Sequence, residues 1–264
     1  MEEKDAWSLE CKPVIDKSFV QTFSILIKEP KLVSYIEIEG KLVQGLFQKR
    51  LTRFSALVQV GGEILQSFLP NPGRMHDLLT HGAKVILREA ACKERKTFYD
   101  LVGVYYKGQK VSLDSRIPNK LVLKALRSGD LPEFSGYTII KPERSYGRTK
   151  FDFLLSNGQK RCLLEVKSST LVMDGVAMFP DGKTERGKRH VMELLKAKGE
   201  GYRAAILFII QRKDADTFSP ADHIDPKFGG ALRKAAENGV EIYAYRSEFV
   251  GNKITLREKI KIEL

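Results

Sequence analysis

The sequence has 264 residues, 42% of them apolar, with both charge signs mixed along its length, which describes a folded chain with room for two cores and excludes a largely disordered one. Its net charge of +12 favours a polyanionic partner over a neutral small molecule. The longest apolar runs, such as Ala204 to Ile210, are too short to span a bilayer, the amino terminus lacks a signal pattern, and Cys11, Cys92 and Cys162 form neither a disulfide framework nor paired zinc ligands, so a cytoplasmic location without a membrane partner is expected.

Charge is unevenly spread: residues 1–41 hold 6 Lys/Arg against 8 Asp/Glu, residues 42–115 hold 11 against 6, and residues 116–264 hold 28 against 19. The first 41 residues contain two strand-like pieces, Phe19 to Ile27 and Leu32 to Ile38, split by Glu29-Pro30, and read as an extension of unassigned role that adds strands to the following barrel. From Val43 to Asp114 short strands alternate with turn signals: Phe54 to Val60, Glu63 to Leu69, Ala83 to Leu87, and Tyr99 to Ser112 interrupted at Gly108, with one helical turn near Met75 to Leu79. Five strands in this span predict an OB-like β-barrel over residues 42–115, an architecture whose open face binds nucleic acid.

After Asn119 the pattern becomes a mixture of helices and strands, predicting an α+β protein of two domains, the second, residues 116–264, a mixed α/β domain. Lys120 to Arg127 reads as a helix ended by Ser128-Gly129, followed by strands Tyr137 to Pro142, Lys150 to Leu155 and Arg161 to Lys167. Thr184 caps a helix running to Lys198, Arg203 to Gln211 is an apolar strand of the kind buried on both faces, and a helix over Lys227 to Glu237 leads to strand Val240 to Tyr245.

Asn157-Gly158 is a strong turn signal between the second and third of these strands. A turn centred between those two residues puts Phe151 opposite Leu164 and Phe153 opposite Cys162 on an apolar side that also takes Leu155 and Val166. Asp152, opposite Leu163, then shares the other face with Glu165 and Lys167. Asp152 and Glu165 become diagonal neighbours roughly 7–8 Å apart between backbones, within reach of one cation. Charges flanked by apolar residues need a compensating partner, either an ion pair with Lys167 or a metal ion. Mg²⁺ or Mn²⁺ suits two carboxylates plus a main-chain carbonyl, here that of Val166, and leaves positions for a phosphate oxygen and a water. Lys167 then orients or deprotonates the water, or balances charge on the phosphate.

At these residues the chain resembles the PD-(D/E)XK nuclease superfamily, whose core runs helix, three strands, helix, strand, with Asp on the second strand and Glu-x-Lys on the third. Phe151 stands where the superfamily name has Pro. More closely, the chain resembles the sugar fermentation stimulation protein A (SfsA) family through Leu69-Pro70-Asn71-Pro72-Gly73-Arg74-Met75, Arg148 to Phe153, Leu164-Glu165-Val166-Lys167-Ser168, Phe179-Pro180-Asp181, Thr184-Glu185-Arg186-Gly187, Gln211-Arg212 and Pro220 to Pro226. The resemblance implies a DNA-binding protein of little sequence preference, with an OB-like N-terminal domain, a nuclease-like C-terminal domain and a regulatory role in sugar metabolism. Residues 1–41 fall outside it.

Lys49, Arg50 and Arg53, beside Phe54, are expected to meet phosphates and bases, and Arg74 is expected to be held near a phosphate by the Pro72-Gly73 turn. Glu185 fits two roles, a further metal ligand or an acid favouring the helix dipole, and Gln211 is placed to reach the same cleft. His190 and His223 read as structural or surface residues. The leading expectation is a DNA-binding protein, with RNA or branched nucleic acid as further substrates, whose metal site hydrolyses phosphodiesters. The alternatives are a non-catalytic DNA-binding regulator of sugar (maltose) metabolism genes and an enzyme acting on a small phosphorylated sugar.

Overall fold

The computed structural model describes residues 33–90 and 97–264, and residues 33–264 belong to one compact unit. The strand-like piece Phe19 to Ile27 lies outside the described residues. Among the described residues no helix is long and apolar enough to cross a membrane.

The N-terminal portion is a closed five-stranded barrel of β2 (Leu42–Thr52), β3 (Ser55–Val60), β4 (Glu63–Phe68), β5 (Lys84–Glu89) and β6 (Tyr99–Tyr106). Its order, β4-β3-β2-β5-β6, closes through a parallel pairing of β4 with β6 at Phe68 and Asp100, the Greek-key arrangement of an OB barrel. Ala56, Val58, Val85, Leu87, Leu101 and Val104 fill its interior, and a turn after Met75 plugs one end with Met75 and Leu78.

Two strand expectations need correction. Leu42–Thr52, inside the expected barrel but not among the strands read there, is its first strand and bends at register shifts after Phe47 and after Arg50. The piece at Leu32 to Ile38 forms β1 (Tyr35–Glu37), which pairs with β16 (Lys253–Lys259) and not with the barrel. Gln109–Ser112, β7, leaves the barrel and meets β15 (Glu241–Val250), joining both portions in one sheet.

The C-terminal portion runs α1 (Ile117–Ser128), β8 (Ile139–Tyr146), β9 (Thr149–Ser156), β10 (Arg161–Ser169), α2 (Glu185–Gly199), β13 (Arg203–Ile210), α3 (Pro226–Glu237) and β15, the expected order of helix, three strands, helix, strand, helix, strand. β8, β9 and β10 are antiparallel, whereas β13 and β15 run parallel to β10. A second sheet of β11 (Leu171–Met173), β12 (Val176–Phe179), β14 (Thr217–Pro220) and β17 (Lys261–Ile262) was not visible in the sequence pattern.

Each helix has local reasons to begin and end where it does. In α1, Pro118 sits in the first turn and Gly129 closes the end at φ 70°, a left-handed conformation that glycine adopts without strain. In α2 the Thr184 hydroxyl accepts from the Gly187 amide at 3.0 Å, and in α3 Asp225 accepts from the Phe228 amide at 3.1 Å. α1 covers one face of the sheet with Leu121, Val122 and Ala125, and α2 and α3 cover the other with Val191, Leu194, Phe228 and Leu232. β13, buried from Ala204 to Ile210, runs between the two cores.

Candidate metal centre

The hairpin turn is longer than expected, and this moves the register. Asn157 to Lys160 make a four-residue turn in which the Asn157 side chain accepts from the Lys160 amide at 2.9 Å and Gly158 takes φ 89°. Leu164 consequently pairs with Phe153 and Cys162 with Leu155, two residues from the predicted partners. A shift of two preserves the alternation along β10, so Glu165 and Lys167 stay on one face, while Asp152 lies one residue past the last paired residue of β9. The ladder ends at Phe153–Leu164, which frees residues 149–152 from the pleat of β10. Phe151 joins the core under α2, its ring 6.0 Å from that of His190, while Phe153 and Leu155 stay under α1 with Val166.

Where β9 leaves β10, the Asp152 side chain replaces the missing strand partner: Oδ2 accepts from the Val166 amide at 2.7 Å. Its other oxygen, Oδ1, accepts from Asn119 Nδ2 of α1 at 2.6 Å. Glu165 is 3% exposed. Its Oε1 accepts from Lys167 Nζ and, at 2.6 Å, from His190 Nδ1 of α2. Arg186 Nε lies 3.4 Å from the other ring nitrogen of His190, an arrangement that suits the Nδ1–H tautomer. Glu165 Oε2 is buried and has no hydrogen-bond partner among the described residues.

Charge and burial pull the two acids apart. Burial and the neighbouring Glu165 charge push Asp152 up to about 6, against the Val166 amide, Lys167 and Asn119. Burial also acts to raise Glu165, but Lys167 and His190 outweigh it and hold that carboxyl below its ordinary range. One acid is thus firmly ionised and the other is poised near neutrality, the pattern of two carboxylates competing for one region of positive charge.

Gln211 follows β13; its Nε2 donates to Ser168 Oγ at 2.8 Å, one residue beyond Lys167, and its Oε1 is buried without a partner among the described residues. Glu185 lies exposed in the first turn of α2, and among the described residues no third His, Cys, Asp or Glu joins the carboxylates in a metal-holding cluster. His190, read from the sequence as structural or surface, belongs to the centre. The Thr184 cap sets the phase of α2 and puts His190 on its buried side with Gly187, Val191 and Leu194, a signal that could have found it.

On the barrel, Lys49, Arg53 and Arg74 are exposed. Arg50, expected among the DNA contacts, has its guanidinium taken up by main-chain carbonyls instead: Arg53 at 2.6 Å, Asn71 at 2.8 Å, Arg74 at 3.1 Å, and Gly73. It fixes the loop that carries Arg74.

The family models agree with this architecture: residues 49–113 match the SfsA N-terminal OB domain, and residues 116–253 match the sugar fermentation stimulation protein RE domain. A sugar fermentation stimulation protein homolog of Caldanaerobacter subterraneus subsp. tengcongensis is 43% identical over 227 residues, covering 86% of this chain and 99% of the relative. One from Chloroflexus aurantiacus is 44% identical over 221 residues, covering 84% of this chain and 85% of the relative. The solved structure of Pyrococcus furiosus SfsA, described as a complex with Ca²⁺, superposes with a TM-score of 0.81 at 31% identity, covering 88% of this chain and 99% of that one. With both portions matched and relatives of this identity spanning nearly their whole length, the chain belongs to the sugar fermentation stimulation protein (SfsA) family.

Proposed function

We propose that the protein binds DNA with little regard to sequence and hydrolyses phosphodiester bonds using a divalent cation, Mg²⁺ or Mn²⁺, held by Asp152 and Glu165. The observation that carries this reading is Glu165 Oε2, a buried carboxylate oxygen with no hydrogen-bond partner among the described residues, beside a second carboxylate, Asp152, whose proton affinity its charge raises. An unpaired buried acid oxygen costs on the order of 1–3 kcal/mol or more, and a bound cation removes that cost. The donor set is all hard oxygen, which fits Mg²⁺, Mn²⁺ or Ca²⁺. The Ca²⁺ in the Pyrococcus furiosus relative supports the same chemistry.

When bound, such an ion polarises a phosphate oxygen and makes a coordinated water more acidic. The protein groups do the rest. Asn119 and the Val166 amide fix the Asp152 carboxylate, while His190 holds Oε1 of Glu165 so that Oε2 is presented. Lys167, on the same face, holds the attacking water or balances charge on the phosphate. Lys49, Arg53 and Arg74 offer cations to the DNA backbone, with Arg50 holding the Arg74 loop in place.

The test is incubation of linear, nicked, branched and single-stranded DNA, and of RNA, with Mg²⁺ or Mn²⁺. Wild type is compared with Asp152→Ala and Glu165→Ala. Metal-dependent cutting lost in both variants is expected; cutting that survives in both rejects the site. Salt-dependent DNA binding without cutting on any substrate would leave the non-catalytic regulator.

A further inference from the structure

A cavity of about 420 Å³ opens where the barrel meets the end of β10, a volume within the ordinary range for small-molecule sites. Ser168 and Ser169, which end β10 just after Lys167, are part of its wall. Three cations line it, Arg53 and Arg74 from the barrel and Lys183 from the approach to α2, against one carboxylate, Asp181. Asp181 Oδ2 lies 3.4 Å from the Met75 amide, which ties it to the barrel loop. Thr184, the cap of the 15-residue α2, closes the same wall and brings the positive end of the helix dipole to it.

Part of the lining is apolar. Phe179 lines the cavity and is braced from behind by Phe208 and Phe228, with ring centroids 5.5 and 5.2 Å away; Met178 lies beside it. The cationic wall is equally well braced. Arg50 binds the Asn71 and Arg74 carbonyls, and the Asn71 side chain accepts from the Gly73 amide at 2.8 Å, so the loop carrying Arg74 is held before any ligand arrives. A site lined both by cations on a held loop and by a braced aromatic ring matches a group that carries an anion and a flat apolar part.

We infer that this cavity is a subsite for one phosphate-bearing nucleotide of the bound strand, its phosphate held by Arg53, Arg74 and Lys183 and its base or sugar lying against Met178 and Phe179. The inference rests on nucleic acid being the ligand and adds a place for the nucleotide flanking the bond that is cut. The subsite favours a strand whose end, or an unpaired nucleotide, can leave the duplex stack.

Calorimetric titration of the full chain in EDTA tests the subsite without any cutting. The probes are thymidine 5′-monophosphate, thymidine, ribose 5-phosphate and inorganic phosphate. The expected result is salt-sensitive binding of thymidine 5′-monophosphate, at least about tenfold weaker binding of the other three, and a loss of about tenfold or more in Arg53→Gln/Arg74→Gln. Both arginines are exposed, and unchanged thermal unfolding of the variant confirms that the loss is local. Absence of nucleotide binding at millimolar concentration, equal binding by thymidine, or binding unchanged in the variant overturns the inference. Equal binding by ribose 5-phosphate or phosphate also overturns it, in favour of a general anion site. The outcome is separable from the hydrolysis reading: DNA cut by a protein that does not bind the nucleotide removes only the subsite, nucleotide and DNA binding without cutting removes only the hydrolysis, and nucleotide binding without DNA binding overturns both.

Discussion

Asp152 is drawn in two directions, tied to the Val166 amide and Asn119 yet facing a second, buried acid. Burial and the Glu165 charge raise it from an ordinary 3.8 to about 6, so the folded state binds the proton more tightly than the unfolded chain does. The contribution of Asp152 to stability is therefore fully present below pH 3.8 and is lost as pH rises through about 6. Measured by urea unfolding in EDTA, the stability of wild type relative to Asp152→Asn should fall by about 3 kcal/mol across that window. A second residue-scale expectation concerns His190. His190→Ala removes the group that orients Glu165 and should lower metal-dependent cutting about 10- to 100-fold while leaving DNA binding near wild type, measured by initial rates and by salt-titrated affinity. The common face of Glu165 and Lys167 was legible because alternation along a strand survives even the two-residue error in register; the departure of β9 from the ladder at Asp152 was not. The contacts of Asn119 with Asp152 and of His190, read as structural or surface, with Glu165 were not legible, because both residues arrive from helices whose rotation against the sheet is set by tertiary packing.

At the scale of elements, Asp225 links two helix starts. One carboxylate oxygen accepts from the Phe228 amide at the start of α3 and the other from the Thr184 amide at 2.8 Å, just before α2. Asp225→Ala should cost about 1–2 kcal/mol in chemical denaturation, more than the loss of about 1 kcal/mol expected for Thr184→Ala, which removes a single cap. The helices were readable to within a few residues because Thr184, Pro226 and Gly129 are local signals that act on the chain itself. Strands of two to four residues such as β11, β12, β14 and β17 are too short to carry a period and exist through their partners, as when β14 lies between β12 and β17. The hairpin shows the same division. Asn157-Gly158 correctly announced a turn, but whether two or four residues form it depends on the Asn157 side chain bonding to Lys160.

Across the whole molecule, the join between barrel and α/β portion depends on pairings remote in sequence. Arg212 is 2% exposed and holds Asp214 through two hydrogen bonds, of 2.9 and 2.6 Å, reaches Asp77 of the barrel at 3.0 Å, and lies 4.6 Å from the Tyr106 ring centroid. Arg212→Ala removes a buried cation from two acids that are each about a third exposed and should destabilise the chain by about 1–3 kcal/mol. Arg212→Lys should recover little, since an ammonium cannot reproduce the fork; equilibrium unfolding of both variants checks this. Arg212 appeared in the sequence only as part of a matched segment, because its partners lie about 135 residues apart from it in one direction and two in the other. The same join brings Arg53 and Arg74 of the barrel to a cavity at the end of β10. The most direct measurement is calorimetric titration of Mn²⁺ into wild type, Asp152→Asn, Glu165→Gln and the double variant, with folding checked by circular dichroism. The account predicts about one ion bound per wild-type chain, affinity lowered in each single variant and binding lost in the double one. Binding of the ion by the double variant as tightly as by wild type would contradict it.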